Sequence, residues 1–91
     1  MIQTVSIKVT GIVQGVFYRQ STKAKALEIN VKGEVKNNPD GSVAIIATGT
    51  DEQLRQLVEW CHRGPDTAVV ANVEVNKLPR VDYKDFRVVK M

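Results

Sequence analysis

Apolar positions along this 91-residue chain recur with two different periods. Thr4-Val5-Ser6-Ile7-Lys8-Val9-Thr10 alternates strictly, which predicts a half-buried strand with Val5, Ile7 and Val9 on its inner face. Good helix formers follow, Lys23-Ala24-Lys25-Ala26-Leu27-Glu28, and predict a helix over 20–30 whose apolar face is narrow. The two-residue period returns at Val31–Asn37, with Val31, Gly33 and Val35 set against Lys32, Glu34 and Lys36. Asn38-Pro39-Asp40-Gly41 predicts a hairpin turn, because proline presets φ, Asp favours the third position and Gly accepts a left-handed backbone. Val43–Thr48 is apolar on both sides, as suits a strand inside a sheet.

A second helix is better marked. Thr50-Asp51-Glu52-Gln53 matches a capping box, and Leu54, Leu57, Val58 and Cys61 then form one helical stripe. Gly64-Pro65 stops it, with His62 and Arg63 in its last turn. Ala68–Lys77 alternates through Val69, Ala71, Val73 and Val75, Pro79-Arg80 breaks the run, and Tyr83–Lys90 predicts a last strand carrying Phe86 and Val88.

Strand, helix, two strands, helix and strand, with one strand more, predict an α+β fold. Two apolar helix stripes need one sheet face to cover them, giving a two-layer, ferredoxin-like βαββαβ sandwich on an antiparallel sheet with an additional C-terminal strand. A single domain spanning 1–91 is expected. In a split βαβ unit the first two strands point the same way with another strand between them. The loop after the first strand and the end of the second then share one sheet edge, roughly 10 Å apart. That brings Arg19 near Asn37 despite their separation in sequence.

Composition narrows the choice of class. With 43% hydrophobic and 25% charged residues the chain is globular rather than disordered. One cysteine, Cys61, excludes an internal disulfide and a cysteine-rich metal site. Residues 1–10 alternate rather than forming an apolar leader, and no run approaches the roughly 20 apolar residues of a membrane span. A reduced, cytoplasmic protein is expected. The net charge of +3 is scattered and fits a solvated surface.

The segment Gly11-Ile12-Val13-Gln14-Gly15-Val16-Phe17-Tyr18-Arg19 carries the chemistry. A glycine-bearing loop between a strand and a helix start sets backbone N–H groups around a concavity, and such sites take oxyanions. Arg19 at its end adds a planar, permanently charged fork able to hold two phosphate oxygens. The same pattern also serves turns with no ligand at all.

The exact string shifts the balance between these. Gly11, Val13-Gln14-Gly15-Val16 and Tyr18-Arg19 resemble the signature loop of the acylphosphatase family, and Gly33-Glu34-Val35-Lys36-Asn37-Asn38-Pro39-Asp40-Gly41-Ser42-Val43 resembles its second block. The resemblance runs on through Gly64-Pro65 to a closing strand around Phe86, over nearly the whole chain. It implies the ferredoxin-like fold and metal-independent hydrolysis of acyl phosphates, with no cofactor. It assigns phosphate binding to Arg19, orientation of the attacking water to Asn37, and the phosphate cradle to Gln14, Gly15, Val16, Phe17, Tyr18 and Arg19. A small-molecule acyl phosphate is the implied partner, with inorganic phosphate as product and competitive inhibitor, and a monomer that binds neither nucleic acid nor membrane. Tyr18 either caps the pocket or packs the helix start. Glu34 departs from the family, which commonly has an aromatic there, and its phase places it on the exposed sheet face.

Two other classes compete. A base-stacking RNA module of the same fold needs aromatics on its central strands, and Val5–Val9 and Ser42–Ala47 have none. A non-catalytic phosphate-binding or regulatory domain could keep the cradle, and the pairing of Arg19 with Asn37 speaks against it. His62, far from the loop, reads as a surface residue of the helix end and Cys61 as core.

Overall fold

The computed structural model describes residues 1–90. Along the chain run β1 (Ile2–Ile12), α1 (Tyr18–Glu28), β2 (Lys32–Asn37), β3 (Val43–Thr50), α2 (Asp51–Arg63), β4 (Val69–Leu78) and β5 (Phe86–Val88). The five strands form one sheet in the order β4-β1-β3-β2-β5. Both helices lie on one face, and the core between the layers holds Val5, Ile7 and Val9 from β1, Val35 from β2, Val43, Ile45 and Ala47 from β3, and Leu54, Leu57 and Cys61 from α2. The predicted α+β sandwich is the fold observed. β3 is central, antiparallel to both β1 and β2, and so accounts for its apolar residues on both faces.

Two strands depart from the expected pattern. Ala68–Lys77 was expected to bury one alternating row, yet Val69 is 60% exposed and Val75 42%. Thr10 pairs with Asn72 and Gly11 with Val70, so Ala71 is an extra residue and the β4 side chains change face at this bulge. Val70 and Val73 therefore pack against the core in place of an unbroken odd-numbered row. Gly11 is required at the crossing: a Cβ there would lie 2.2 Å from the Val69 carbonyl oxygen. Val75 stays on the helix side, but at a sheet edge, where nothing flanks it further out.

The last strand is only Phe86–Val88, and it pairs with β2 in parallel, so the sheet is mixed rather than antiparallel throughout. The cause is the connection. β4 and β5 occupy opposite sheet edges, four inter-strand steps or roughly 19 Å apart, and seven residues, 79–85, join them. Seven extended residues reach roughly 25 Å at most, too little to cross and also run back along the strands. This strap is pinned on the helix-free face by two buried threonines. The Thr48 hydroxyl donates to the Val81 carbonyl at 2.7 Å, the Val81 N–H donates to Thr4 Oγ1 at 2.9 Å, and the two hydroxyls meet at 2.7 Å. Glu34 lies on this face as expected, but it is not fully solvated. It sits beside its register partner Arg87, 3.5 Å away, with its side chain 22% exposed.

The helices begin in opposite ways. Thr50 caps α2 through the Gln53 N–H at 3.2 Å, and Gln53 Oε1 accepts the Thr50 N–H at 2.9 Å, which completes the expected box. α1 starts at Tyr18, two residues before the expected position, behind Phe17 in the left-handed region (φ 62°), and no side chain caps it. Cys61 is fully buried, and burial raises its thiol to about 12. The native thiol should therefore stay unmodified by Ellman's reagent at pH 8 and react stoichiometrically once denaturant unfolds the chain. Rapid labelling of the native protein would contradict the packing of α2.

Candidate functional site

β1 and β2 flank β3 and run in the same direction, so the chain leaving β1 and the chain leaving β2 meet at one end of the sheet. The register is explicit: Val9 and Asn37 both lie opposite Val43. Between these ends opens a cavity of about 230 Å³ lined by Val13, Gly15, Phe17, Tyr18, Arg19, Gln20 and Asn37. The structure thus brings together Arg19 and Asn37, as the strand pattern predicts. Gly15, Phe17 and Tyr18 join them, while Gln14 and Val16 do not line this cavity.

Its donor side comes from the backbone. The first N–H groups of a helix have no intrahelical acceptor, and at α1 no side chain substitutes for one. The first turn also carries no acidic residue. The ordinary means of satisfying a helix start are absent here, and the partial positive charge of the N-terminus faces the cavity that Arg19 lines.

Its acceptor side is Asn37. Asn37 Oδ1 is buried and has no hydrogen-bond partner, the one such side-chain atom among the described residues. Buried polar atoms of native proteins are almost always paired, and this unpaired amide oxygen belongs to a side chain that lines the cavity. The lining contains no carboxylate, histidine or cysteine. The arrangement can hold an anion against N–H groups and a guanidinium, and a hydroxylic molecule against an amide oxygen. It offers no proton-shuttling side chain.

Gln14 and Val16 serve the site from outside the cavity. Gln14 Nε2 donates to the carbonyls of Asn38 and Ser42, both at 2.8 Å, and so ties the loop to the turn that follows Asn37. The Val16 carbonyl accepts from Thr67 Oγ1 at 2.8 Å, which ties the loop to the residues after α2. Tyr18 resolves toward packing: it is 1% exposed, and its hydroxyl donates to the Cys61 carbonyl at 2.8 Å. Burial raises its phenol far above the ordinary tyrosine range. The tie that Gln14 makes between the loop and the turn has no signal in the sequence beyond its polarity within an apolar loop.

The β2–β3 turn distributes its roles differently from expectation. Asn38 opens the predicted turn, and its Nδ2 donates to Ser42 Oγ at 3.0 Å rather than its side-chain oxygen capping a backbone N–H. Asp40 does the capping, accepting from the Ser42 N–H at 2.9 Å and its hydroxyl at 2.6 Å. The Ser42 bonds, with Lys8 at 3.3 Å, hold the Asp40 carboxyl down at about 2. A second, more open groove lies beyond Arg19 and Asn37, lined also by Gln14, Asn38, Pro39 and Lys90.

The family model described as acylphosphatase matches residues 5–88. The chain is 51% identical over 80 residues to an acylphosphatase of Marinobacter nauticus, covering 87% of each protein. It superposes on the structure of an acylphosphatase from Coxiella burnetii with TM-score 0.94 at 40% identity, covering 97% of this chain and 93% of that one. The crystal structure of acylphosphatase from Bacillus subtilis gives 0.92 at 31% identity, covering 98% and 99%.

Two outcomes are expected of the residues that frame the site. Gln14→Ala should lower stability by about 1–3 kcal/mol, for two hydrogen bonds lost, and weaken phosphate binding. Urea unfolding with and without phosphate checks both, and unchanged phosphate affinity would deny that Gln14 sets the loop against the turn. Asp40 titrates lower folded than unfolded, so its stabilising effect is complete above the unfolded value near 4 and is lost as pH falls towards 2. Asp40→Asn should flatten the pH dependence of the melting temperature in that window, and an unaltered profile would contradict the Ser42 and Lys8 contacts.

Proposed function

The chain belongs to the acylphosphatase family, a family of hydrolases acting on acid anhydrides, and from that premise we propose how its own residues carry the reaction. The substrate is a small acyl phosphate, whose phosphoryl oxygens rest against Arg19 and the free N–H groups at the start of α1. Asn37 Oδ1 accepts a hydrogen bond from water and turns the water oxygen towards phosphorus. The observation that carries this reading is the buried, unpartnered Asn37 oxygen beside an uncapped helix start.

The chemistry asks for little more. Water attacks phosphorus in line with the acyl–oxygen bond, that bond breaks, and its electron pair leaves on a carboxylate. A carboxylic acid has a pKa of about 4, so this leaving group needs no general acid at neutral pH. A loose phosphoryl transition state depends weakly on nucleophile strength, so an oriented water suffices and its surplus proton passes to solvent or product. What remains is positioning and charge stabilisation on three equatorial oxygens, the work of a guanidinium and preset N–H dipoles. The absence of a proton-shuttling residue from the cavity lining fits this scheme.

The reaction proceeds without a metal, and inorganic phosphate competes with substrate because the same donors hold it. Residues 1–91 act as one domain, as a monomer in the cytoplasm, with no nucleic-acid or membrane partner. No helix among the described residues is long and apolar enough to cross a membrane.

Arg19 and Asn37 are separated by their effects on a resting anion. Arg19→Gln should lower kcat/KM for benzoyl phosphate about 10³-fold or more and abolish thermal stabilisation by phosphate. Asn37→Ala should lower kcat on the order of 10²–10³-fold while phosphate still raises the melting temperature, since water is oriented only for the reaction. Wild-type turnover should persist in excess EDTA. A folded Arg19→Gln protein keeping a tenth of the activity, or turnover that needs a divalent ion, would refute the scheme.

A further inference from the structure

Phe17 poses a problem that its own contacts do not solve. It is a bulky residue in the left-handed backbone region (φ 62°, ψ 24°), and it is 77% exposed. Such a conformation is unfavourable for an L-residue other than glycine and persists only where the surroundings dictate it. An exposed ring supplies no such force. Yet this residue sets the direction in which the first N–H groups of α1 point into the cavity.

The force is found one residue later. Tyr18 is the first residue of α1, 1% exposed, and its ring lies against Trp60 with centroids 5.4 Å apart, tilted by 50°. Its hydroxyl donates to the Cys61 carbonyl at 2.8 Å, in the last turn of α2. The turn beneath is shaped to receive it. Gly64 ends α2 at φ 65°, and a Cβ there would stand 2.6 Å from Tyr18 Cε2. On the other side of Phe17, the Val16 carbonyl accepts from Thr67 Oγ1 at 2.8 Å, again from the segment after α2. The left-handed link is thus clamped on both flanks, by the end of α2 and by the segment that follows it, and neither lines the cavity.

We propose that Tyr18 is a positioning residue: by docking into the α2 C-terminus it holds Phe17 left-handed and so aims the α1 N–H groups at the phosphoryl oxygens. The inference rests on the reading of this cavity as the phosphate site, and it is tested on binding of inorganic phosphate alone, so that it stands apart from any failure of turnover. Tyr18→Phe keeps the ring and removes the tie to Cys61. The fraction of chains with a competent cradle falls, and the apparent phosphate Kd should rise about tenfold with a parallel fall in kcat/KM. Thr67→Val, at an exposed position, should raise the Kd severalfold in the same direction.

A double-mutant cycle with Phe17→Asn decides the mechanism, since asparagine tolerates the left-handed region. In that background Tyr18→Phe should cost less than threefold in phosphate affinity, measured by calorimetry on folded protein. A Tyr18→Phe effect confined to the melting temperature would reduce the residue to core packing. An undiminished loss in the Phe17→Asn background would show that Tyr18 does not act through Phe17. Either result overturns the proposal. Wild-type protein that binds phosphate without hydrolysing benzoyl phosphate would instead remove the catalytic reading and leave this inference standing.

Discussion

Val43 sets the distance on which the site depends. It is the shared cross-strand partner of Val9 and Asn37, and it is itself fully buried. Two inter-strand spacings, roughly 10 Å, therefore separate the chain that leads into the loop from the residue that holds the orphan amide. A spacing fixed by backbone hydrogen bonds on both sides of one strand is far stiffer than one set by side chains. The cavity occupies that gap, and a one-residue slip of β2 would turn Asn37 to the other face of the sheet. Gln14 reinforces the same distance from the loop side, through carbonyls on either side of the turn.

The two helix starts show what a helix loses when its N-terminus is kept for a ligand. α2 satisfies its first turn internally, with Thr50, Gln53 and two acidic residues all favourable to the dipole. α1 has none of these, and its preceding residue is left-handed. A cap is commonly worth about 1 kcal/mol, so α1 must be held by other means. Its own apolar face is narrow, and tertiary contacts supply the rest. Tyr18 docks on α2, the Thr22 hydroxyl returns to the Tyr18 carbonyl at 2.8 Å, and Ala26 is buried in the core.

Legibility from sequence followed the range over which each feature is determined. The layer arrangement, the central place of β3, the α2 capping box and the meeting of Arg19 with Asn37 follow from period and from local turn chemistry, both present in the string of residues. The β4 bulge was hidden because Ala71 is opposed by nothing only once β1 lies alongside, and the alternation through Val69, Ala71, Val73 and Val75 looks continuous until then. The parallel β5 was hidden because it follows from the width of the whole sheet set against seven residues of strap. Asn38 and Asp40 are chemically alike as turn caps, and choosing between them needs the position of Ser42. The tyrosine clamp joins residues 43 apart in sequence and leaves no local trace.

These departures from ordinary local rules are concentrated rather than scattered. The uncapped helix start, the left-handed Phe17 and Asn37, whose amide oxygen has no partner, all border one cavity, whereas the other left-handed non-glycine residue among those described, Asn30, follows the far end of α1. Each is a local cost that a sequence selected for stability alone would remove by an ordinary change, such as a capping serine or an apolar residue on β2. Their coincidence has one physical sense if the missing partners arrive with the substrate. An anion at the helix start and a water at the amide then form bonds that the empty protein lacks, and those bonds strengthen as charge spreads over the phosphoryl oxygens. On this view the rest of the fold, from the Val43 ladder to the α2 clamp, supplies the rigidity that keeps these groups open instead of letting the loop collapse to satisfy them.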